Sequence, residues 1–276
     1  MKRYIIILFV FVSILSCNNY KNDENIVISL GGEVATIDPH LNTANIGTVY
    51  IRHFFEGLMK KDKDGKIIPG IAERYEMSDD GLVYTFYLRT NAKWSDGNNF
   101  TADDFLYSYR RFVDPKTAAP YGHLMKPIKN ALKITKGEIP VEELGIKKID
   151  DYTLEITLEN PTAYFLELAD MYLPVRKDII EEYGNTWVLN PESYICNGPY
   201  KMKERIIDDK IVMEINSNYY DYDKLVAKNI TIKMISDRNT ALAGIRNGDI
   251  HFSNLVPPQE VEELRKEKLI VMNQAY

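Results

Sequence analysis

Apolar and polar positions along the chain follow two different periods, and each period predicts a different element. Across residues 152–158 the apolar residues alternate with polar ones, as expected of a strand with one face in water. Phe105, Tyr109 and Phe112 instead recur at helical spacing, which predicts an amphipathic helix whose apolar stripe lies in the core. Thr101 precedes that stripe and has the position of a helix-capping residue.

The same two patterns predict further elements. Strands are predicted where apolar β-formers cluster between turn signals, at residues 26–30, 83–88, 211–215, 230–234 and 269–272. Helices are predicted at residues 48–60, 160–168, 237–248 and 261–264, and Asp237 is expected to cap the third of them, which ends at Gly248. A hairpin turn is expected at residues 62–66, and a tight turn at residues 197–199 aims the strand that follows. Strands and helices alternate in places and cluster in others, so the predicted fold class is mixed α/β (α+β).

The start of the chain has the layout of a secretory signal peptide. A basic pair at residues 2–3 precedes an apolar run at residues 4–12, which is too short to span a bilayer as a mature helix. Ser16 is a small residue followed at once by Cys17, which favours a bacterial lipoprotein that carries lipid on the Cys17 thiol. Leu15 is larger than the usual residue at its position, and an ordinary signal peptide cut elsewhere is the alternative.

Charge and cysteine content narrow the possible partners. Removal of residues 1–16 takes Lys2 and Arg3 away and leaves 32 basic residues against 40 acidic ones, a formal net charge of −8. An acidic protein is a poor ligand for nucleic acid and for anionic lipid, so no nucleic-acid partner is expected and a membrane tether would have to be covalent. With lipid on Cys17, Cys196 is the remaining thiol and is predicted to be a small buried hydrophobe.

The sequence carries none of the local motifs of an enzyme or a metal site. Its four histidines are far apart and form neither an H-E-x-x-H pair nor a cluster with cysteine: His40, His53, His123 and His251. The sequence has no phosphate-binding loop, no G-x-G-x-x-G and no G-x-S-x-G. We therefore expect a protein without catalytic residues, without a metal and without a cofactor.

Eight segments, taken in order, resemble one protein family. They are residues 37–40 (IDPH), 55–58 (FEGL), 69–73 (PGIAE), 78–86 (SDDGLVYTF), 92–97 (AKWSDG), 101–105 (TADDF), 114–118 (DPKTA) and 197–200 (NGPY). Together they resemble the extracellular solute-binding proteins of family 5, the oligopeptide- and dipeptide-binding components of ABC importers. Residues 116–121 and 143–155 are most similar to the oligopeptide branch.

The resemblance implies a periplasmic-binding-protein-like fold of type II, in which two lobes joined by hinge strands close over a ligand. The expected divisions are a signal peptide at residues 1–16, a lipidated cysteine and flexible tether at 17–25, the sheet-containing base of the first lobe at 26–55 and 185–270, an extra subdomain at 56–184 and the start of the hinge at 271–276. Members of the family are usually much longer, so we expect the second lobe to be missing from this chain. That lobe would supply the acidic partner for the peptide's α-ammonium and one of the two strands that sandwich the peptide.

The resemblance also implies where a ligand would bind. It places the segment that pairs with the ligand near Thr43, Ala44 and Asn45, whose backbone N–H and C=O groups would add a peptide as a strand. An ordinary surface loop is the alternative for this segment. Tyr121 matches a family position that lines the ligand cleft, and packing beside Pro120 is its alternative role.

Other conspicuous residues receive different expectations. Asn254 and Leu255 lie near the point where the hinge should pass and are predicted to face the cleft. Arg52 lies on the helix after the binding segment, where a structural ion pair is expected rather than a ligand contact. Trp94 and Tyr200 are predicted to be core residues.

The function implied by the resemblance is that of a lipid-anchored oligopeptide-binding component of an ABC importer, working outside the cytoplasm. Its expected partners are an oligopeptide, permease subunits with cytoplasmic ATPases, and a membrane reached through the N-terminal lipid, and the protein is expected to be a monomer. With one lobe, the chain is expected to bind peptide weakly. The alternatives are the same fold with another solute, such as a nickel chelate or haem, and a surface lipoprotein that acts as an adhesin without transport.

Overall fold

A computed structural model describes residues 24–267, which form a mixed α/β fold as predicted. The strands are β1 (Asn25–Gly31), β2 (Met59–Lys61), β3 (Ile67–Pro69), β4 (Ala72–Met77), β5 (Val83–Leu88), β6 (Ile146–Asp150), β7 (Thr153–Thr157), β8 (Tyr200–Ile206), β9 (Lys210–Ile215), β10 (Asn229–Met234) and β11 (Phe252–Ser253). The helices are α1 (Asn45–Phe54), α2 (Ala102–Val113), α3 (Ala131–Thr135), α4 (Phe165–Met171), α5 (Lys177–Tyr183), α6 (Arg238–Asn247) and α7 (Val261–Lys266).

Two larger sheets draw on separate stretches of the sequence. One has five strands in the order β11-β1-β10-β9-β8, with β1 parallel to both β10 and β11 and the remaining pairs antiparallel. The other has four antiparallel strands in the order β4-β5-β7-β6, and β2 and β3 form a separate hairpin. The first sheet thus takes its strands from both ends of the described chain and the second from the middle. The division into a base and a subdomain stays a prediction.

The parallel pairs decide where the loop after β1 lies. Ile28 pairs with Ile232 of β10 and with Phe252 of β11. The carboxyl ends of these three strands therefore meet at one edge of the sheet, which is where ligands bind in open α/β sheets. The chain leaves β1 at this edge, runs through a loop at residues 32–44 and enters α1.

One hydrophobic core joins the elements of both sheets. Trp94 and Tyr200, predicted to be core residues, are both buried in it. Cys196 is fully buried as well, and its Sγ donates a hydrogen bond to the carbonyl oxygen of Tyr200 at 3.3 Å. Burial raises the pKa of the Cys196 thiol to about 12, so the thiol stays protonated and behaves as the small hydrophobe that was predicted.

Two helix starts have the predicted capping residues. The backbone N–H of Thr101 donates to Oδ2 of Asp104 at 2.8 Å at the start of α2. Oδ1 of Asp237 accepts from the N–H of Thr240 at 2.8 Å at the start of α6, which ends at Gly248 with a φ of 80°. These side chains satisfy backbone N–H groups that have no partner inside the helix.

The helix predicted at residues 48–60 is wrong in both boundaries. In the structure α1 begins at Asn45 and ends at Phe54, and β2 begins five residues later. Residues 54–59 are all buried, so the apolar side chains of Phe55, Leu58 and Met59 pack in the core without belonging to one helical face. Periodicity alone does not distinguish these two situations.

Some predictions fall outside the described residues. The signal peptide, the lipid on Cys17, the strand at residues 269–272 and the hinge at residues 271–276 are among them. No helix between residues 24 and 267 is long and apolar enough to cross a membrane.

Candidate ligand-binding site

A cavity of about 340 Å³ opens where the loop after β1 meets α1, α2 and the end of α4. This size lies at the small end of the range of roughly 300–1,000 Å³ that is usual for ligand pockets. A polar wall comes from the loop and α1, and an apolar wall comes from α2 and the segments near α4. The lining residues are Pro39, Asn42, Thr43, Asn45, Thr48, Ile51, Arg52, Phe112, Tyr121, Leu124, Met171, Tyr172 and Leu173.

Three of the residues predicted to contact a ligand line this one cavity. Thr43 and Asn45 are exposed on its polar wall, and Tyr121, far away in the sequence, is 43% exposed beside it. Ala44 lies between the first two, is half-buried and is not part of the lining. The structure therefore places Thr43, Asn45 and Tyr121 at one concave surface, while their contact with a ligand stays a prediction.

The last two predicted contact residues are not part of this cavity. Asn254 is exposed and Leu255 is half-buried, directly after β11. The backbone N–H of Leu255 donates to Oγ of Ser253 at 3.1 Å. Both residues follow the carboxyl end of a strand that is parallel to β1, so they lie at the same edge of the sheet as the loop but outside the 340 Å³ cavity.

The side chain of Asn42, which sequence reasoning missed, shapes the loop. Its Nδ2 donates to the carbonyl oxygen of Ala44 at 3.0 Å, and its Oδ1 accepts from the N–H of Ala44 at 3.1 Å. The same carbonyl oxygen also accepts from the N–H of Thr48 at 3.0 Å. Both backbone groups of Ala44 are thus engaged inside the protein. Asparagine favours such local turns, and this is the sequence feature that could have identified Asn42.

A buried polar network fixes this loop to its neighbours. The two Nη atoms of Arg111 donate to the Asp38 carboxylate at 3.2 and 2.8 Å, and Nε1 of Trp187 donates to Oδ2 of Asp38 at 3.0 Å. Arg111 Nη1 also donates to Nδ1 of His40 at 2.7 Å, so Nε2 of His40 carries the proton and donates to the carbonyl oxygen of Leu173 at 2.9 Å. The loop, α2 and the segment after α4 are therefore joined behind the cavity.

Burial and the neighbouring guanidinium determine the charges in this network. Burial, followed by the nearby Arg111 cation, lowers the pKa of His40 to about 4. Burial acts to raise the pKa of Asp38, but Arg111 and His40 together hold it below its ordinary value. At neutral pH the network therefore contains one cation, one anion and a neutral imidazole.

Arg52 forms the structural ion pair that was predicted for it. Its Nη1 and Nη2 donate to the two carboxylate oxygens of Asp170, the second at 2.9 Å, and Nη1 also donates to the Asp170 carbonyl oxygen at 2.9 Å. The Asp170 side chain is 3% exposed and that of Arg52 is 33% exposed. Arg52 also lines a second cavity of about 450 Å³, on whose surface Asp170, Glu56 and Lys60 lie.

The apolar wall was also missed as a site by sequence reasoning. Phe112 was predicted to be core and is indeed buried, at 8% exposed, yet its remaining surface lines the cavity. Met171 is 48% exposed on the same wall. The hydroxyl of Tyr172 donates to the carbonyl oxygen of Leu124 at 2.7 Å. No helical or strand period marks the segment after α4, so its part in the wall had no sequence signal.

Metal ligation finds no support in the part of the chain that the structure describes. Between residues 24 and 267 no group of three or more His, Cys, Asp or Glu side chains is placed to hold a metal ion.

Comparison with known proteins identifies the family. The model of bacterial extracellular solute-binding proteins, family 5 Middle, matches residues 66–276. The chain is 38% identical over 249 residues to the periplasmic oligopeptide-binding protein OppA of Salmonella typhimurium, covering 88% of this chain and 46% of that protein. It is 35% identical over 248 residues to the periplasmic murein peptide-binding protein MppA of Escherichia coli, covering 88% of this chain and 46% of that protein.

Solved structures agree with the sequence comparison. The structure of Haemophilus influenzae OppA in complex with the peptide RPPGFSPFR matches with a TM-score of 0.85 and 36% identity, covering 90% of this chain and 49% of that chain. The chain thus spans about half the length of the relatives it matches. The family and these relatives are named for binding and for a location outside the cytoplasm, which confirms the prediction of a binding protein rather than an enzyme. The chain belongs to the bacterial extracellular solute-binding proteins of family 5, as its sequence motifs predicted.

Proposed function

We propose that this protein is the oligopeptide-binding component of an ABC importer and that the 340 Å³ cavity is where it contacts the peptide. The observation that carries the proposal is the meeting of Thr43, Asn45 and Tyr121 at one concave surface in a chain whose relatives are named for oligopeptides. A cavity with backbone groups on one side that no described residue bonds and apolar side chains on the other suits a guest that is recognised by its amide groups.

Backbone hydrogen bonds would provide this recognition. Thr43 and Asn45 flank Ala44, whose own N–H and C=O are bonded to Asn42 and Thr48. No described residue bonds to the backbone of Thr43, and the N–H of Asn45 is one of the N-terminal groups of α1 that lack an intrahelical partner. We therefore assign the peptide contacts to Thr43 and Asn45, with Ala44 holding the loop.

A matched pair of variants tests the backbone assignment. Thr43→Pro removes the backbone N–H, whereas Thr43→Ala changes the side chain and keeps the N–H. An unpaired hydrogen-bonding group in the complex costs about 1–3 kcal/mol, so Thr43→Pro should weaken tripeptide binding by about ten- to a hundredfold. Thr43→Ala should stay within about threefold of the unmodified chain. Isothermal titration calorimetry with the 276-residue chain measures both.

Peptides that are N-methylated at a single amide give a second measurement that does not depend on the loop tolerating proline. Methylation at the paired amide should cause a loss similar to that of Thr43→Pro, and methylation at the next amide should not. Equal losses from Thr43→Ala and Thr43→Pro, together with indifference to methylation, would show that side chains rather than backbone groups read the guest.

The remaining parts of the proposal concern how the protein is held and what it serves. We propose that Cys17 carries lipid and tethers the protein to a membrane, where it delivers peptide as a monomer to permease subunits with cytoplasmic ATPases. The placement of Ser16 before Cys17 and the extracellular family support this assignment.

A further inference from the structure

The charges that border the 340 Å³ cavity are all paired inside the protein. Among the described residues that line it, Arg52 carries the one formal charge, and both of its Nη atoms are bonded to Asp170. Arg111, which precedes the lining residue Phe112 in the sequence and lines a different cavity, is bonded in the same way to Asp38. The guanidinium that lines the cavity is therefore neutralised by a carboxylate of the protein itself.

The two members of the Arg52–Asp170 pair are not equally placed. Arg52 lines the cavity and has a 33% exposed side chain, whereas Asp170 is 3% exposed and lies on the surface of the neighbouring cavity. A guest in the 340 Å³ cavity would thus meet the guanidinium first, with the carboxylate behind it. Asp170 decides how strongly that guanidinium attracts a second anion, because it neutralises the charge and bonds both Nη atoms.

The opposite wall offers a guest mainly carbon atoms. Phe112, Leu124, Met171 and Leu173 line it. The hydroxyl of Tyr172 is already bonded to the carbonyl oxygen of Leu124. A charged guest group would lose its water at this wall and would find no free opposite charge, which is unfavourable. An uncharged apolar group would instead be stabilised there, because it leaves contact with water.

We propose that the Arg52–Asp170 pair makes this cavity a subsite for an uncharged, apolar side chain of the guest peptide, and that Asp170 sets this preference by neutralising Arg52. The proposal rests on the proposed peptide-binding function, since it assigns one side-chain subsite of the same site. It predicts that removal of the Asp170 charge raises the affinity of the subsite for carboxylates relative to uncharged groups.

Side-chain analogues test the subsite without requiring any peptide to bind. The probes are p-cresol, propionate and n-butylammonium, which are neutral, anionic and cationic. Met171 lines the cavity, so the ¹³C-labelled methyl group of Met171, assigned with Met171→Leu, reports by NMR which probe enters. In the unmodified chain p-cresol should bind at least about tenfold more tightly than either ion, a difference that corresponds to about 1.4 kcal/mol.

Two variants separate charge from shape. Asp170→Asn keeps the size of the side chain and frees Arg52, so the affinity for propionate relative to p-cresol should rise at least about tenfold. The double variant Arg52→Gln/Asp170→Asn removes both charges and should return to the preference of the unmodified chain. Circular dichroism checks that each variant is folded. If Asp170→Asn alone does not fold, the double variant and the unmodified chain still test the proposal.

The outcomes also distinguish this proposal from the proposed function. The subsite assignment would be overturned if propionate and p-cresol bound equally to the unmodified chain. It would also be overturned if folded Asp170→Asn left the ratio of the two affinities unchanged. Neither result depends on whether peptides bind. If tripeptides fail to bind while the Met171 methyl group shows the predicted ratios, the peptide-binding function fails and the charge assignment of the cavity stands.

Discussion

His40 shows how one residue depends on the charges around it. Its imidazole is fully enclosed, accepts a hydrogen bond from Arg111 and stacks on Phe112 with ring centroids 4.9 Å apart. A second proton on His40 would place two cations in contact, with Asp38 as the one carboxylate bonded to this group. The folded protein therefore excludes that proton over a range of pH in which an ordinary histidine takes it up.

Acidification should destabilise the protein through His40. The unfolded chain protonates this residue near its ordinary pKa of 6.5, while burial and Arg111 lower the folded pKa to about 4. The stabilisation is complete above pH 6.5 and is lost as the pH falls towards 4, by about 3 kcal/mol in all. Urea unfolding at pH 7.5, 6 and 4.5 measures this loss. His40→Asn should lower stability at pH 7.5 and should show a correspondingly smaller loss between pH 7.5 and 4.5.

Other carboxylates titrate in the same pH range, so the test is the difference in unfolding free energy between the unmodified chain and His40→Asn. A difference in unfolding free energy between the unmodified chain and His40→Asn that stays constant with pH would contradict the neutral assignment of His40.

At the scale of single elements, local sequence predicted the starts of α2 and α6 correctly and both boundaries of α1 wrongly. Thr101 and Asp237 were identified as capping residues because a side chain that bonds the first helical N–H groups acts on its near neighbours. The end of α1 depends on a residue more than a hundred positions away, since Gly198 donates its N–H to the carbonyl oxygen of Phe54 at 2.7 Å. No period within residues 48–60 records that contact.

Gly198→Ala should destabilise the protein because the end of α1 leaves no room for a side chain. A Cβ at this position would lie 2.6 Å from the carbonyl oxygen of Phe54 and 2.8 Å from the backbone nitrogen of Phe55. Overpacking of this kind costs about 1–3 kcal/mol, measured as the free energy of unfolding in urea. Gly32→Ala is the matched control, since its Cβ would meet Ser236 at an ordinary 3.6 Å, and a comparable loss there would refute the steric argument.

At the scale of the whole molecule, the candidate site depends on segments that are far apart in the sequence. Thr43, Asn45 and Tyr121 were predicted by resemblance to a family, and the structure places them on one cavity. Asn42 and the segment at Met171 were not predicted, because neither a helical nor a strand period marks them. The fold class and most strands follow from local pattern, while the cavity exists through contacts between distant segments such as Asp38 and Arg111.

The proposed attachment to a membrane concerns the whole molecule as well, and charge makes it testable. After removal of residues 1–16 the chain carries a formal net charge of −8, so anionic lipid repels it and a tether must act through covalent lipid. In a bacterial host the unmodified chain should therefore stay with the membrane fraction in 1 M salt, which screens electrostatic attraction to a Debye length of about 3 Å. Cys17→Ser should move most of the protein into the soluble extracellular fraction. Cys196→Ala removes the chain's other thiol, a buried one, and should leave the protein on the membrane; release of both variants alike, or of neither, would show that Cys17 is not the anchor.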